Sequence, residues 1–227
     1  MSDILFRSVV FDLDGTVADT APDLSAALNC ALAALGRPSV SLSDARRMVG
    51  HGTRALLRQG LGATGNCDEA LVERGYPILM TYYEDHICDF TRPYEGIEQA
   101  MDELQSRGVS LALCTNKPAA TARRLVEALG WQARFTAIVG GDTLTVAKPD
   151  PAPLRLAIEQ SGGQPAVMVG DSIVDMETAR AAGVPGIIFA NGYADCPVER
   201  LGASAVLQSY DTLVDLLSQR CEVAKLA

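Results

Sequence analysis

Basic and aromatic residues are scarce in this chain. Its 227 residues include 19 Lys and Arg against 28 Asp and Glu, which gives a formal net charge of −9, and only 5% are aromatic. Proteins that bind DNA or RNA non-specifically need Lys and Arg to displace counterions, and anionic membrane surfaces also attract basic segments. The composition therefore argues against nucleic acid and against a membrane surface as partners. Trp131 and the tyrosines form no array on which bases could stack.

Histidine and paired cysteines are also scarce. There are two histidines, and no C-x-x-C motif occurs among the six cysteines, which are Cys30, Cys67, Cys88, Cys114, Cys196 and Cys221. A chain of this length buries a sizeable core without disulfides, so reduced thiols are expected. The first seven residues lack a basic start followed by an apolar stretch, and no run approaches 18 uncharged apolar residues. The sequence therefore predicts a cytoplasmic protein with neither a signal peptide nor a membrane span.

Short apolar runs alternate with helical patterns along most of the chain. Predicted strands cover residues 8–11, 109–114, 135–139, 166–169 and 186–189, and predicted helices cover residues 96–107, 119–129, 151–160 and 173–182. The runs are short and lack polar alternation, as in strands buried on both faces. Strands that alternate with short helices are typical of βαβ units. The sequence therefore predicts an α/β fold with a parallel sheet.

Between the first two predicted strands the pattern is helical throughout. Helices are predicted at residues 21–35, 43–59 and 68–86, the first with Thr20 as N-cap and Pro22 near its start. An all-helical insertion at this point suggests a cap over the carboxyl edge of the sheet, where open α/β sheets bind ligands. We therefore predict two domains, a core of residues 1–18 and 90–227 and a helical cap of residues 19–89.

Two acids directly follow the first predicted strand. Asp12 and Asp14 stand two residues apart in Asp12-Leu13-Asp14-Gly15-Thr16, so their carboxylates can converge on one cation, and Gly15 lets backbone amides approach an anion. An ordinary polar turn would give the same pattern. Acids at the end of a buried strand are costly without a metal or another partner, which favours a functional site.

A third acid and a cation follow later strands. Ser172 and Asp175 fit a capping box, and this structural explanation leaves Asp171 unexplained. A helix start at Asp150 and the following Pro explains the loop that begins at Lys148, but it leaves the lysine unexplained.

A hydroxyl and an amide follow the second predicted strand. Thr115 and Asn116 can donate to phosphate oxygens near a helix N-terminus, although an ordinary helix start is the better explanation of this pair alone. All four polar segments lie at a strand end or in the loop beyond it, so they can meet at one edge of the sheet. Together they supply carboxylates, an ammonium and a hydroxyl, a set that fits Mg²⁺ with a substrate phosphate.

In their order and spacing these segments resemble the four motifs of the haloacid dehalogenase superfamily. The motifs are Asp12-Leu13-Asp14-Gly15-Thr16, Thr115-Asn116, Lys148-Pro149 and Gly170-Asp171-Ser172-Ile173-Val174-Asp175. The resemblance implies a Rossmann-like core with an inserted, all-helical C1-type cap. Further segments resemble the bacterial phosphoglycolate phosphatases within this superfamily: Asp19-Thr20-Ala21-Pro22-Asp23-Leu24, Val49-Gly50-His51-Gly52, Thr115-Asn116-Lys117-Pro118 and Gly140-Gly141-Asp142. This implies a phosphatase of small phosphorylated metabolites, with 2-phosphoglycolate as the expected substrate.

The resemblance also implies roles for individual residues. Asp12 is the expected nucleophile that forms an aspartyl-phosphate, and Asp14 is the expected general acid and base. Mg²⁺ is expected on the Asp12 carboxylate, the Asp14 backbone carbonyl and Asp171. The other expected contacts are phosphate binding by Gly15, Thr115, Asn116 and Lys148, and support from Thr16, Ser172 and Asp175.

Three alternatives stay open at this point. A sugar-phosphate phosphatase and a β-phosphoglucomutase-like phosphomutase share these motifs, and a phosphate-binding protein with a dead site would share the fold. Haloacid dehalogenases themselves lack the second acid of the first motif, so Asp14 argues against them. Neither a monomer nor a dimer is favoured.

The predicted cap contains one glycine-rich loop at residues 49–55. It matches G-x-G-x-x-A superficially, but no strand precedes it, so a dinucleotide site is not expected. Gly50 and Gly52 are typical of a hinge between helices. In an alternative interpretation the loop reaches over the sheet, and Arg54 or His51 contacts a substrate carboxylate, for which the forked guanidinium is suited.

Overall fold

The computed structural model describes residues 4–194 and 196–218. Cys221 and the end of the predicted core lie outside the described residues. The strands are β1 (Ser8–Phe11), β2 (Ala18–Asp19), β3 (Arg92–Pro93), β4 (Ser110–Cys114), β5 (Ala137–Val139), β6 (Ala166–Gly170), β7 (Gly186–Phe189) and β8 (Ala205–Leu207). The helices are α1 (Ala21–Ala34), α2 (Leu42–Met48), α3 (Thr53–Thr64), α4 (Glu69–Asp85), α5 (Ile97–Ser106), α6 (Ala119–Ala128), α7 (Ala152–Gln160), α8 (Ile173–Ala182) and α9 (Leu213–Ser218).

A six-stranded parallel sheet forms the centre of the fold. Its order is β5-β4-β1-β6-β7-β8, so β1 lies between β4 and β6. The α/β class and all five predicted strands are confirmed. Two further features were not predicted: β8, a three-residue edge strand, and the short antiparallel pair of β2 and β3.

The strands are buried because both faces of the sheet carry helices. Val9 and Phe11 of β1 pack on one side, in the core that α5, α6 and α9 cover. Val10 points the other way, into a second core that contains side chains of α7 and α8. Successive residues of a strand point to opposite faces, so an apolar run without alternation is what a doubly covered strand requires.

Helices α1 to α4, which we call the helical unit, lie between β2 and β3 in sequence and share one apolar core. The prediction of one helix over residues 43–59 is wrong, because the chain breaks between α2 and α3. Gly50 and Gly52 there have φ of 115° and 87°, outside the right-handed helical region. Thr20 is the residue before α1, but its hydroxyl makes no capping hydrogen bond. Among the described residues no helix is long and apolar enough to cross a membrane.

Candidate active site

Three adjacent strands bring the predicted motifs to one edge of the sheet. Asp12 follows β1, Thr115 follows β4 and Asp171 follows β6. The amide of Asp12 donates to the carbonyl of Val169 at 2.9 Å, which continues the sheet pairing to the edge. Lys148 reaches the same place from the loop between β5 and α7. The carboxyl ends of parallel strands meet here, as the sequence analysis predicted.

Asp12 is almost fully buried and lies against a lysine. Its Oδ1 accepts a hydrogen bond from the amide of Leu13 at 2.7 Å and lies 3.0 Å from the ammonium of Lys148. Burial raises the pKa of Asp12 to about 6, with Asp175 and Asp14 adding to the effect, although Lys148 acts to lower the pKa. Among the described residues, no hydrogen bond ends on Oδ2. One oxygen of this carboxylate is therefore held and the other is available.

Asp171 is held by two donors. Its Oδ1 accepts from the hydroxyl of Thr16 and its Oδ2 from the amide of Tyr193, both at 2.7 Å. A Cβ on Gly15 would lie 2.4 Å from Asp171 Oδ2, and Gly15 has φ of +80°. Only glycine fits this turn, because both the backbone conformation and the nearby carboxylate exclude a side chain. The Gly15 amide donates within its own turn, to Ala18 at 3.0 Å.

Asp175 caps helix α8 and also binds Lys148. Its Oδ2 accepts from the amide and the hydroxyl of Ser172, so the predicted capping box is present. Its Oδ1 accepts from Lys148 at 2.6 Å. Burial would lower the pKa of Lys148, but Asp12 and Asp175 outweigh it and raise that pKa well above its ordinary value. The capping residue therefore also fixes the lysine against Asp12.

The three buried acids of this edge could hold a metal ion. Oxygens of Asp12, Asp171 and Asp175 lie within 4.8 Å of one another. Burial, together with the charges of Asp175 and Asp12, raises the pKa of Asp171 well above its ordinary value, because one lysine does not balance three carboxylates. An all-oxygen set of this kind suits a hard divalent cation. Asp175 accepts from the ammonium of Lys148 as well as from Ser172, whereas among the described residues Asp171 accepts only from uncharged donors, so Asp12 and Asp171 are the more available ligands.

Asp14 has its own lysine, which the sequence analysis did not assign to the site. Its Oδ1 accepts from the hydroxyl of Thr20 at 2.7 Å and lies 2.9 Å from the ammonium of Lys117. The same ammonium donates to the hydroxyl of Tyr83, in α4, at 2.8 Å. Burial acts to lower the pKa of Lys117, but Asp14 and Tyr83 outweigh it and raise that pKa.

The feature of the sequence that could have pointed to Lys117 is its position, two residues after Thr115 and close to the end of a buried strand. Nothing in the sequence pairs it with Tyr83, which is 34 residues away in the helical unit. Tyr193 was missed for the same reason, because its partners lie 173 and 22 residues away. Such contacts follow from the packing of distant segments, which a local pattern does not reveal.

Thr115 and Asn116 are present at the edge but are engaged with the backbone. The hydroxyl of Thr115 accepts from the amide of Lys117 at 3.3 Å. The side-chain amide of Asn116 donates to the carbonyls of Gly50 and Lys148, at 3.2 and 3.1 Å, and its oxygen accepts from the Lys148 amide. Asn116 thus connects the helical unit to the loop of Lys148. Phosphate binding by these residues, and by Gly15, stays a prediction.

A cavity lies between this edge and the helical unit. Its volume is only about 20 Å³. Residues at this edge of the sheet line it together with residues of α1, of the first turn of α3 and of the loop before α3. They are Asp12, Asp14, Leu24, Val49, Gly50, Gly52, Thr53, Leu56, Thr115, Asn116 and Lys117. The space is narrow, polar on the sheet side and mostly apolar on the helical side.

Arg54 and His51 are not brought into this cavity. Arg54 pairs with Glu73 at 2.5 Å, lies over the ring of Tyr76 and keeps 42% of its side chain exposed. His51 is exposed. Contact between either residue and a substrate stays a prediction.

Known proteins resemble this chain over most of its length. The sequence model of the haloacid dehalogenase-like hydrolases matches residues 9–189. A phosphoglycolate phosphatase of Mesorhizobium japonicum is 41% identical over 93% of this chain and 95% of its own length. One from Caulobacter vibrioides is 39% identical over 92% of this chain and 90% of its own.

Solved structures resemble the whole fold. A crystal structure of a predicted phosphoglycolate phosphatase from Haemophilus somnus superposes with a TM-score of 0.88 at 25% identity, covering 93% of this chain and 98% of its own. Sequence relatives and structural neighbours therefore agree with the α/β fold described above. This chain belongs to the haloacid dehalogenase-like hydrolases, and it is a phosphoric monoester hydrolase.

Proposed function

We propose that this chain is a Mg²⁺-dependent phosphatase that hydrolyses 2-phosphoglycolate to glycolate and phosphate. The observation that carries the proposal is a pair of acids two residues apart, each against its own buried ammonium. Asp12 lies 3.0 Å from Lys148, and Asp14 lies 2.9 Å from Lys117. The two carboxylates line the same cavity, so one can act on phosphorus while the other acts on the leaving oxygen.

In the first step Asp12 Oδ2 attacks the phosphorus atom. A bond from carboxylate oxygen to phosphorus forms, the bond from phosphorus to the ester oxygen breaks, and Asp14 gives a proton to the leaving alkoxide. Lys148 lies between Asp12 and Asp175 and offers a positive charge to the phosphoryl oxygens. The product of this step is an aspartyl-phosphate on Asp12.

In the second step water replaces the aspartate. Asp14 now takes a proton from the attacking water, phosphate is released and the Asp12 carboxylate is restored. Thr20 and Lys117 hold Oδ1 of Asp14, and among the described residues no hydrogen bond ends on its Oδ2. That oxygen is therefore placed for proton transfer in both steps.

We assign Asp12, Asp171 and the backbone carbonyl of Asp14 to Mg²⁺. The bound ion would offset the charge of a phosphate dianion beside the buried acids. Asp175 keeps Lys148 in place rather than acting as a ligand. Thr16 and Ser172 support the site through the two acids they bind.

The narrow cavity supports a small substrate. No substrate fits this space unless the helical unit moves, and a leaving group of two carbons needs less movement than a hexose does. The named relatives are phosphoglycolate phosphatases, which agrees with this size argument. Small phosphorylated metabolites are thus the proposed partners, with residues 19–89 acting as the cap domain. The five described cysteines are free thiols, in keeping with a reducing cytoplasm.

Phosphate release from 2-phosphoglycolate, measured with Mg²⁺ and with EDTA, tests this function. We expect activity with Mg²⁺ only, and a loss of at least about 1,000-fold in Asp12→Asn. Activity that survives EDTA or this substitution contradicts the mechanism. Equal efficiency across many sugar phosphates contradicts the substrate. Isomerised sugar phosphate with little free phosphate indicates a phosphomutase, and binding without turnover indicates a dead site.

A further inference from the structure

Lys117 is a second buried ammonium that the phosphoryl group does not need. Only 2% of the residue is exposed, and its ammonium contacts Asp14 and the hydroxyl of Tyr83. Lys148 already stands beside Asp12, where the phosphoryl group is attacked. Lys117 stands beside the residue that faces the leaving group. A buried charge at that position calls for an explanation beyond phosphate binding.

The residues that line the cavity indicate which class of ligand Lys117 can bind. Among the described residues that line the cavity, Lys117 carries the only positive charge. The first turn of α3 also lines it. This helix begins at Thr53, and the residue before it, Gly52, has no side chain to cap it, so the first amides of α3 have no partners in the helix. Both features favour an anion on the leaving-group side. The rest of that side is mostly apolar.

We propose that Lys117 binds the carboxylate of the leaving group and thereby selects phosphate esters of short 2-hydroxy acids. The inference rests on the proposed function, since it names the residue that recognises the acid part of that substrate. In such an ester the carboxylate carbon is two bonds from the ester oxygen. When Asp14 faces that oxygen, the carboxylate falls next to a group that lies 2.9 Å from Asp14, which is Lys117.

Tyr83 is the positioning residue for this ammonium. Its hydroxyl accepts from Lys117 at 2.8 Å, and the ammonium lies 4.5 Å from the centre of its ring. Tyr83 belongs to α4, so the helical unit fixes the direction in which Lys117 presents its charge. An ammonium has three hydrogens, and two partners leave one for a substrate oxygen. Arg54, the earlier candidate for a carboxylate, is instead occupied by Glu73.

The test compares two esters that differ only in charge, 2-phosphoglycolate and its uncharged amide, 2-phosphoglycolamide. The measured quantity is the ratio of their kcat/KM values. We expect the wild type to favour the carboxylate by about 10- to 100-fold, the range that a hydrogen bond to a charged group supports. In Lys117→Met the ratio should fall to near one. Asp14 serves both esters, so a loss of its positioning lowers both values and leaves the ratio unchanged.

Two further variants guard against a folding defect in Lys117→Met. Tyr83→Phe keeps the ring and removes the partner of the ammonium, and we expect it to lower the ratio by about 3-fold or more. Arg58→Met removes an exposed positive charge from α3 and should leave the ratio at its wild-type value. Glycolate inhibition gives a second readout, because the product carboxylate should bind more weakly to both site variants.

The outcomes separate this inference from the proposed function. No phosphate release from either ester by the wild type contradicts the function itself. Release from both esters with equal efficiency, or a ratio unchanged in both Lys117→Met and Tyr83→Phe, contradicts only the role of Lys117. A ratio that falls in Arg54→Met but not in these variants assigns the carboxylate to Arg54 and also overturns the inference.

Discussion

At the scale of single residues, the site depends on side chains that are held by their neighbours before any substrate arrives. Asp12 and Asp14 each have one oxygen bound by fixed donors, and Lys117 and Lys148 each lie between two partners. Ordering these groups in advance removes the need to reorganise them during the reaction. We therefore expect phosphatase activity to depend also on residues that make no contact with substrate.

Gly15 gives a direct test of such control. Gly15→Ala should lose most of its phosphatase activity, since the new Cβ would lie 2.4 Å from Asp171 Oδ2. Gly108→Ala is the matched control, because Gly108 has a similar φ of +79° and no atom of the described residues lies within 4 Å of the added carbon. Both variants should lose about 1–2 kcal/mol of unfolding free energy in urea from the left-handed backbone. Full activity in Gly15→Ala would contradict this account of the turn.

At the scale of elements, the sequence predicted the sheet and its helices better than it predicted the contacts between them. The central strands were found because doubly covered strands need uninterrupted apolar runs. Strand β8 was missed because it has three residues at the sheet edge, where burial is incomplete. The prediction of one helix over residues 43–59 was wrong because the helical pattern of the surrounding residues was given more weight than Gly50 and Gly52, which separate α2 from α3.

The site shows the same division. Asp12, Asp14, Asp171 and Lys148 were predicted because each stands at a strand end or in the loop beyond it. Tyr83 was not, because its role follows from α4 packing over the end of β4. Residues that act across two folding units have no local signature.

Asp23, in α1, joins the start of the helical unit to the segment that follows it. Asp23, 1% exposed, accepts from the amides of Phe90 and Thr91 and from the Thr91 hydroxyl. We expect Asp23→Asn to lose about 1–3 kcal/mol of unfolding free energy, since hydrogen bonds to a charged acceptor are replaced by weaker ones.

Chemical denaturation measures this loss, with Glu159→Gln, an exposed acid on α7, as the control. The loss should be accompanied by a higher KM, because α1 also carries the wall of the cavity at Leu24. An Asp23→Asn protein as stable as the control would show that the joint is held elsewhere.

At the scale of the whole molecule, the balance of charge at the site links stability to pH and metal. Asp12 has a pKa of about 6 in the folded protein against 3.8 in the unfolded chain. Between those values the folded protein keeps a proton that the unfolded chain has lost. The contribution of Asp12 to the free energy of unfolding therefore falls as the pH rises from about 4 to about 6. Asp171 acts in the same direction.

Thermal unfolding at a series of pH values measures this effect. In EDTA, the Tm of the wild type relative to Asp12→Asn should fall as the pH rises from about 4 to about 6. Mg²⁺ should raise the wild-type Tm most above pH 6, where it binds the ionised acids, and should raise that of Asp12→Asn much less. A wild-type Tm that rises relative to the variant across this range would contradict the assignment.

Tyr193 connects the buried acids of the site to the start of the helical unit. The amide of Tyr193 holds Asp171, while its hydroxyl accepts from the amides of Thr20 and Ala21 and donates to Asp19. The chain enters the helical unit at this point. A displacement of the loop that carries Tyr193 would therefore move an acid of the site and the attachment of the helices in concert. Tyr193 is not among the residues that line the cavity, yet its loop would control how the acid and the helical unit are aligned.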